Sequence, residues 1–94
     1  MILNLYAMYD RLDGSHRSPV TGRSDSRTSK EFCDMMQNYR SQMAQKGQSV
    51  DLNDYELHKL GTFDDESGVI SPLVHYEVVP LSYVDRATDL SSAS

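Results

Sequence analysis

"DYELHKLGTFDDESGVISP", residues 54–72, is the stretch that decides the fold of this chain. Apolar side chains recur through its first half, which predicts a strand, and Gly61 permits a bulge within that strand. The acidic run DDESG at 64–68 predicts a turn, because Asp and Ser bond their own backbone and Gly accepts a positive φ. The stretch therefore predicts two strands joined as a hairpin.

Beyond the hairpin turn the chain is expected to continue as an extended segment. VISP leaves the turn and LVHYEVVPLSYV follows it. Pro72 and Pro80 remove backbone donors, which favours the edge of a sheet, and a fourth strand is expected near Val74–Val79. The last residues, DRATDLSSAS at 85–94, are polar and small, and they are expected to form a flexible tail.

Before the hairpin, the N-terminal residues 2–9, ILNLYAMY, alternate with a period of two and are apolar on both faces. This pattern predicts a strand covered on both sides. Residues 10–27, DRLDGSHRSPVTGRSDSR, contain only Leu12 and Val20 as large apolar residues and predict a long loop. A loop of this length in a small domain is usually functional or mobile.

One helix is predicted between the loop and the hairpin. The sequence TSKE places Thr28 at the N-cap and Glu31 at the third helical position, which is the spacing of a capping box. Gly47 is placed to end the helix after Lys46, whose charge suits the negative end of the dipole. The apolar stripe of this helix consists of Phe32, Met35, Met36, Tyr39 and Met43.

These elements predict a single small α+β domain over residues 1–84. Its mostly antiparallel sheet has three to four strands, with one main helix packed on one face and the order β-α-β-β. The other face of the sheet retains Tyr and aliphatic residues, and hydrophobic residues make up only 38% of the chain. We therefore expect a second copy or another partner to complete the core, and a homo-oligomer, dimer or higher, is the prediction.

Charge is unevenly distributed along the chain. The net charge is −5, and residues 1–48 carry seven Lys/Arg against five Asp/Glu, a net of +2, whereas residues 49–94 carry two against nine, a net of −7. The total argues against simple bulk attraction to nucleic acid, but the two halves offer different surfaces to partners. With one cysteine and a short apolar N-terminus without a basic flank, an intracellular protein with no membrane contact is expected.

Residues that carry catalysis or bind metals do not fall into recognisable patterns. Cys33 follows Phe32 on the helix and is expected at the margin of the core. His58 and His75 lie on neighbouring predicted strands and can approach each other, but a metal needs a third ligand. The acids of the hairpin turn are consecutive rather than alternating, unlike a calcium loop. Neither an enzyme nor a cofactor is expected.

The arginine-containing loop is the strongest functional candidate from the residues alone. Its guanidinium groups, with one more on the helix, suit phosphates, while tyrosine rings suit unpaired bases. Asp10, Asp13 and Asp25 dilute this positive charge. The candidate nucleic-acid-binding residues are Arg11, Arg17, Arg23, Arg27, Arg40 and Tyr9, with Tyr6 and Tyr39 as other stacking candidates.

At this point the chain resembles a known family. A short strand ending YAMYDR, a Pro-containing segment, a helix opening SKEFCDMM and the hairpin are similar to the small nonstructural protein of gokushovirus-type microviruses, phages with circular single-stranded DNA genomes. The resemblance covers roughly residues 3 to 72, with Pro19–Val20 where the family has an apolar Pro–Phe pair. The family motif falls on Asp54, Tyr55, Leu57, Leu60, Gly61, Phe63, Asp64, Ser67 and Gly68.

The resemblance implies a protein made in the cytoplasm of the infected bacterium and absent from the mature capsid. It implies a role in viral genome replication or packaging, which raises the expectation of single-stranded DNA binding. The alternative is a protein-interaction module that binds a host or phage replication factor without contacting DNA. Salt dependence separates the two, because binding through phosphate contacts weakens steeply as salt rises.

Overall fold

The computed structural model describes residues 1–82, so the predicted tail at 85–94 lies outside the described residues. None of the described helices is both long and apolar enough to cross a membrane. In chain order the elements are β1 (Ile2–Asp10), β2 (Ser15–His16), β3 (Val20–Gly22), α1 (Asp25–Gln45), a 3₁₀ turn (Leu52–Asp54), β4 (Tyr55–Asp64) and β5 (Ile70–Val79).

The strands form one curled antiparallel sheet in the order β2-β1-β4-β5, with β3 also paired to β1. The longest pairing joins β1 to β4, from Ile2 opposite Asp64 to Asp10 opposite Tyr55. With α1 as the one main helix, the predicted α+β class and antiparallel sheet are confirmed. The sheet has five strands rather than three to four.

The predicted order β-α-β-β is wrong because residues 10–27 are not one loop. His16 pairs with Tyr9, and Thr21 pairs with Leu5, so two short strands satisfy the free edge of β1 before the helix starts. Strands of two and three residues are too short to produce a hydrophobic period, which is why the sequence pattern conceals them.

The helix begins four residues earlier than the capping box predicted. Ser24 is the N-cap, and its Oγ accepts a hydrogen bond of 3.2 Å from the backbone N–H of Arg27. Thr28 is instead a buried residue of the first turns. The serine is favoured because Asp25 then occupies the first turn, where a carboxylate suits the helix dipole. At the other end Gly47 has a φ of +79°, as predicted for a helix terminus.

The core lies between α1 and one face of the sheet, which we call the helix face. Of the predicted helical stripe, Phe32 and Met36 are buried, whereas Met35 and Tyr39 are 52% and 39% exposed. The buried stripe is therefore narrower than predicted. The main buried cluster consists of Tyr6, Phe32, Met36, Leu52, Leu57 and Val79.

The hairpin between β4 and β5 forms as predicted. Gly68 has a φ of +78°, and the Asp64 carboxylate accepts a hydrogen bond of 3.0 Å from the N–H of Glu66. Backbone N–H groups that favour the charged form lower the pKa of Asp64, chiefly the N–H of Glu66. The acids of the turn thus order their own backbone.

The strand β5 lies at the edge of the sheet, as its prolines predicted, and it contains a large bulge. Lys59 pairs with Glu77, but Gly61 pairs with Pro72, so residues 73–76 stand opposite Leu60 alone. Gly61 permits the close approach, because a Cβ there would lie 2.8 Å from the Cα of Pro72. The expected separate strand near Val74–Val79 is the second part of this single strand.

No helix covers the opposite face of the described sheet, which we call the open face. Ala7, His58 and Val78 form one cross-strand row on it. Ala7 and His58 are nevertheless buried, at 1% and 0% exposure, whereas Val78 is 55% exposed. The prediction that β1 is covered on both sides therefore holds at this row, although side chains rather than a second layer provide the cover.

Candidate functional site

The structure brings two of the predicted arginines together, Arg23 and Arg27 at the start of α1. With Gly22, Thr28 and Glu31 they line a cavity of about 440 Å³. A Cβ on Gly22 would overlap the hydroxyl of Thr28, so the glycine allows β3 to approach the helix closely. We call this cavity and its lining the helix-start site.

Electrostatics at the helix-start site favour an anion. The first N–H groups of a helix are unpaired and its N-terminus carries a partial positive charge. Asp25 is partly neutralised elsewhere, since its carboxylate accepts a 2.7 Å hydrogen bond from the Tyr6 hydroxyl and lies 3.7 Å from the Lys59 ammonium. Glu31 lies 3.8 Å from Arg27, an ion pair exposed to solvent on both sides.

Arg17 forms ion pairs within the turn that follows β1. Its guanidinium lies 2.9 Å from the carboxylate of Asp10 and 3.6 Å from that of Asp13. The buried Asp10 also accepts backbone hydrogen bonds from Leu12 and Asp13. The positive charge of Arg17 is therefore balanced within its own segment.

The two remaining arginines lie apart from the helix-start site. Arg11 donates from its guanidinium to the carbonyl of Asn53 at 3.2 Å. Arg40 is exposed on α1, thirteen positions after Arg27 and therefore about 20 Å along the helix. The arginines predicted as one phosphate-binding group are thus divided among several places.

Tyr9 is part of an aromatic cluster on the open face. Its ring stacks on His58 with centroids 4.8 Å apart and planes at 16°. On its other side His58 stacks on Tyr76, at 4.0 Å and 8°. His16 meets the same rings at an angle, with its centroid 5.0 Å from that of His58. We call Tyr9, His58 and Tyr76 the aromatic column.

Hydrogen bonds fix the buried imidazole in the middle of the column. His58 Nε2 lies 2.8 Å from Glu56 Oε1, and His58 Nδ1 lies 3.0 Å from His16 Nε2. A carboxylate accepts hydrogen bonds, so the contact with Glu56 suits a tautomer of His58 that donates from Nε2, and in that tautomer Nδ1 is the acceptor for His16. The partner of His58 is thus His16 rather than His75, the residue that the sequence suggested.

The described residues contain no group of three or more His, Cys, Asp or Glu placed to hold a metal ion. Cys33 is buried, as expected, and its Sγ accepts a contact of 3.6 Å from the Ser82 hydroxyl. Nearby, the Ser29 hydroxyl donates to the carbonyl of Pro80 at 2.6 Å, which fastens the end of the described chain to α1.

Sequence reasoning missed Tyr76, Glu56 and the role of His16. A signal existed, since an aromatic or imidazole side chain occurs on each of the paired strands. The sequence alone does not show that these side chains meet. The strand register shows it, because it places Tyr9 opposite Glu56 on β4 and opposite His16 on β2. The bulge in β5, which brings Tyr76 to His58, has no sequence signature beyond Gly61.

These features define a small α+β protein whose antiparallel sheet carries one helix on one face. A model of the Phage ORF5 protein family matches residues 3–84, and the chain belongs to this family. The expected bacteriophage origin is therefore confirmed at the level of the family. No curated protein and no solved structure matches the chain.

Proposed function

We propose that this protein is a nonstructural accessory protein of a microvirus-type phage that binds single-stranded DNA during genome replication or packaging. The proposal rests on one observation: Arg23 and Arg27 line the same cavity at the N-terminal, positive end of α1. In this proposal the protein acts by binding rather than by catalysis, needs no cofactor, and works in the cytoplasm of the infected bacterium.

The helix-start site suits a phosphate for three reasons. It combines two guanidinium groups with the positive end of a helix dipole, an arrangement that binds phosphates in many proteins. Arg27 is 72% exposed, so its side chain is accessible to a strand of nucleic acid. Among residues 1–82, Arg23 forms no ion pair, whereas Arg17 forms two.

Fluorescence anisotropy of a labelled single-stranded oligonucleotide tests the proposal. We compare the wild type with Arg23→Ala/Arg27→Ala, and use Arg40→Ala/Lys46→Ala as the control, because it removes the same charge from the far end of α1. Each titration is repeated across a salt series and with a duplex of the same sequence. Binding that depends on the helix-start site is expected to weaken in the first variant only.

The salt dependence gives the number of phosphates that each protein neutralises. For single strands the slope of log K against log salt is about −0.7 per phosphate, so a variant that neutralises two fewer phosphates has a slope smaller in magnitude by about 1.4. Equal weakening in both variants would mean a diffuse charge effect, and an absence of binding at low salt would remove DNA from the function.

We also propose that the protein assembles with a second copy of itself. Three apolar side chains are exposed at the end of the sheet where β1 begins and the hairpin turns: Ile2, Val69 and Ile70 are 63%, 57% and 56% exposed. Light scattering coupled to size-exclusion chromatography tests this, with Ile70→Asp expected to shift an oligomer to the monomer. A wild type that is monomeric at high concentration would contradict it.

The second candidate function is a protein-interaction module that binds a host or phage replication factor and no DNA. The excess of acid in residues 49–94, a net of −7, favours it. In that case a replication protein binds the chain, single-stranded DNA does not bind even at low salt, and Arg23→Ala/Arg27→Ala leaves the protein–protein binding unchanged.

A further inference from the structure

The aromatic column crosses the sheet diagonally, because Tyr9 lies opposite Glu56, two residues before His58, and Tyr76 lies two residues before Val78, the partner of His58. Tyr9 is on β1, His58 on β4 and Tyr76 on β5, and these strands are consecutive neighbours. The ring centroids are 4.8 Å and 4.0 Å apart and the planes are within 16° and 8° of parallel, so each ring is stacked on the next. Each strand therefore contributes one ring to a continuous stack, and the stack ends at β5, the edge of the sheet.

Tyr76 is the last ring of the column and is open to solvent. One side of its ring is covered by His58, which itself has 0% exposure. Tyr76 is nevertheless 53% exposed, because no described strand follows β5. Its outer face is therefore a flat aromatic surface to which one more planar ring can be added.

The position of this ring is fixed before any ligand arrives. His58 is held from both ring nitrogens by Glu56 and His16, and the Tyr76 ring lies against it at 8°. Binding to a surface that is already ordered avoids the entropic cost of ordering it. The exposed imidazole of His16 also lies near, with its centroid 6.2 Å from that of Tyr76.

We infer that the outer face of Tyr76 is a stacking platform for an unpaired nucleobase. This inference rests on the proposed single-stranded DNA binding. It adds that the protein contacts the bases of the strand as well as its phosphates. Every base has an aromatic face, so the platform tolerates any sequence, whereas bases inside a duplex are already stacked on their neighbours. The residue that stacks on the base is then Tyr76. Tyr9, the tyrosine favoured by the sequence, lies at the other end of the column and packs against the far side of His58.

Binding of an oligo-dA strand is compared with that of an abasic strand of the same length, which keeps the phosphates and lacks the bases. The variant Tyr76→Leu removes the ring, Tyr76→Phe keeps it, and Val74→Ala is the control in the same bulge, at a side chain 93% exposed. Tyr76→Leu is expected to weaken oligo-dA binding about tenfold, and Tyr76→Phe to retain it. The weaker binding of the abasic strand is expected to be the same in all four proteins.

Equal affinity of the wild type for the two strands would overturn the inference, as would a Tyr76→Leu protein that binds oligo-dA like the wild type. Those results leave the proposed function standing when Arg23→Ala/Arg27→Ala still weakens binding.

A second measurement needs neither a variant nor a phosphate. Titration of the wild type with adenosine, followed by NMR, is expected to shift the Tyr76 ring protons upfield, and those of the exposed Tyr39 much less. This result supports the platform even if no oligonucleotide binds. Shifts spread equally over all tyrosines, or none at millimolar adenosine, would overturn it.

Discussion

The two faces of the sheet are stabilised by different kinds of contact. On the helix face, Phe32 and Met36 bury aliphatic and aromatic surface against Leu57. On the open face, His58 is just as deeply buried, but by two stacked rings and two hydrogen bonds. A side chain can thus be fully enclosed in this small protein without a second layer of secondary structure.

The difference separates stability from recognition. Apolar burial is roughly proportional to area and provides most of the free energy of folding. Stacking and hydrogen bonding contribute less per contact, but they fix the orientation of each ring. The helix face therefore sets how stable the protein is, and the open face sets where its exposed ring points.

The largest expected effect is on the helix face. Phe32→Ala removes a ring that is 7% exposed, and the free energy of unfolding is expected to fall by about 3–5 kcal/mol, measured by chemical denaturation. Met35→Ala, at a side chain 52% exposed on the same helix, is the control and is expected to change little. Similar losses in the two variants would contradict the assignment of the core to one side of α1.

On the open face, His58→Ala is expected to cost less, about 2–3 kcal/mol, because it removes two hydrogen bonds and two stacked contacts. His75→Ala, at an exposed position in the bulge, is the matched control. Hydrogen exchange of the β2 amides is expected to rise in the first variant, since His16 loses its partner. A loss as large as that of Phe32→Ala would remove the energetic distinction between the faces.

Tyr6 tests a polar contact within the helix face. Tyr6→Phe removes the hydroxyl that donates to Asp25, and the expected cost is about 1 kcal/mol at neutral pH. Burial raises the pKa of Tyr6 above its ordinary value of 10.0, and the bond to Asp25 raises it further. Because the folded pKa is higher than the unfolded one, this stabilisation is complete below pH 10 and is lost as the pH rises through the folded pKa.

The check is a series of denaturation curves between about pH 8 and 12, on either side of the ordinary tyrosine pKa. The wild type is expected to lose stability at the alkaline end, and Tyr6→Phe to lose less. The free energy of unfolding of the variant still falls somewhat with rising pH, because burial also raises the pKa of Tyr55. Parallel curves for the two proteins would mean that Tyr6 does not titrate differently on folding.

The smallest effect is expected at the turn that follows β1. Arg17→Ala breaks ion pairs in which the arginine side chain is 47% exposed, and its cost is expected to be below about 1 kcal/mol. Asp10→Ala is expected to cost more, because it also removes the acceptor for two backbone N–H groups. Thermal unfolding of the pair is the measurement, and the reverse ranking would contradict the role of Asp10.

The sequence predicted the parts of the fold that have a local cause. The DDESG turn, the helix with its terminal Gly47 and the edge position of a Pro-containing strand all depend on residues within a few positions of one another. The strands β2 and β3 were missed because their cause is distant: they exist by pairing with β1. The start of the helix was misplaced because two capping residues, Ser24 and Thr28, compete within about one turn of each other.

The candidate site was harder to predict than the fold. Arginines that are close in sequence were grouped, but Arg17 and Arg23 follow short strands paired near opposite ends of β1, opposite Tyr9 and Asn4 respectively. Charge alone does not show that Arg17 is already paired with Asp10 and Asp13. The position of Tyr76 depends on a bulge in the pairing of β4 with β5, which only the register reveals.

The pairing of β1 with β4 has a consequence for how the chain folds. Asp10 lies opposite Tyr55 and Ile2 opposite Asp64, so β1 meets its main partner only after about 45 to 60 further residues have been made. Closing so long a stretch of chain is slow, and proteins dominated by such distant contacts fold in milliseconds to seconds. In the meantime the nearby β3 is available to pair with β1. The small strands β2 and β3 lie on the other side of β1 from β4, so once they pair only the edge that awaits β4 is left open.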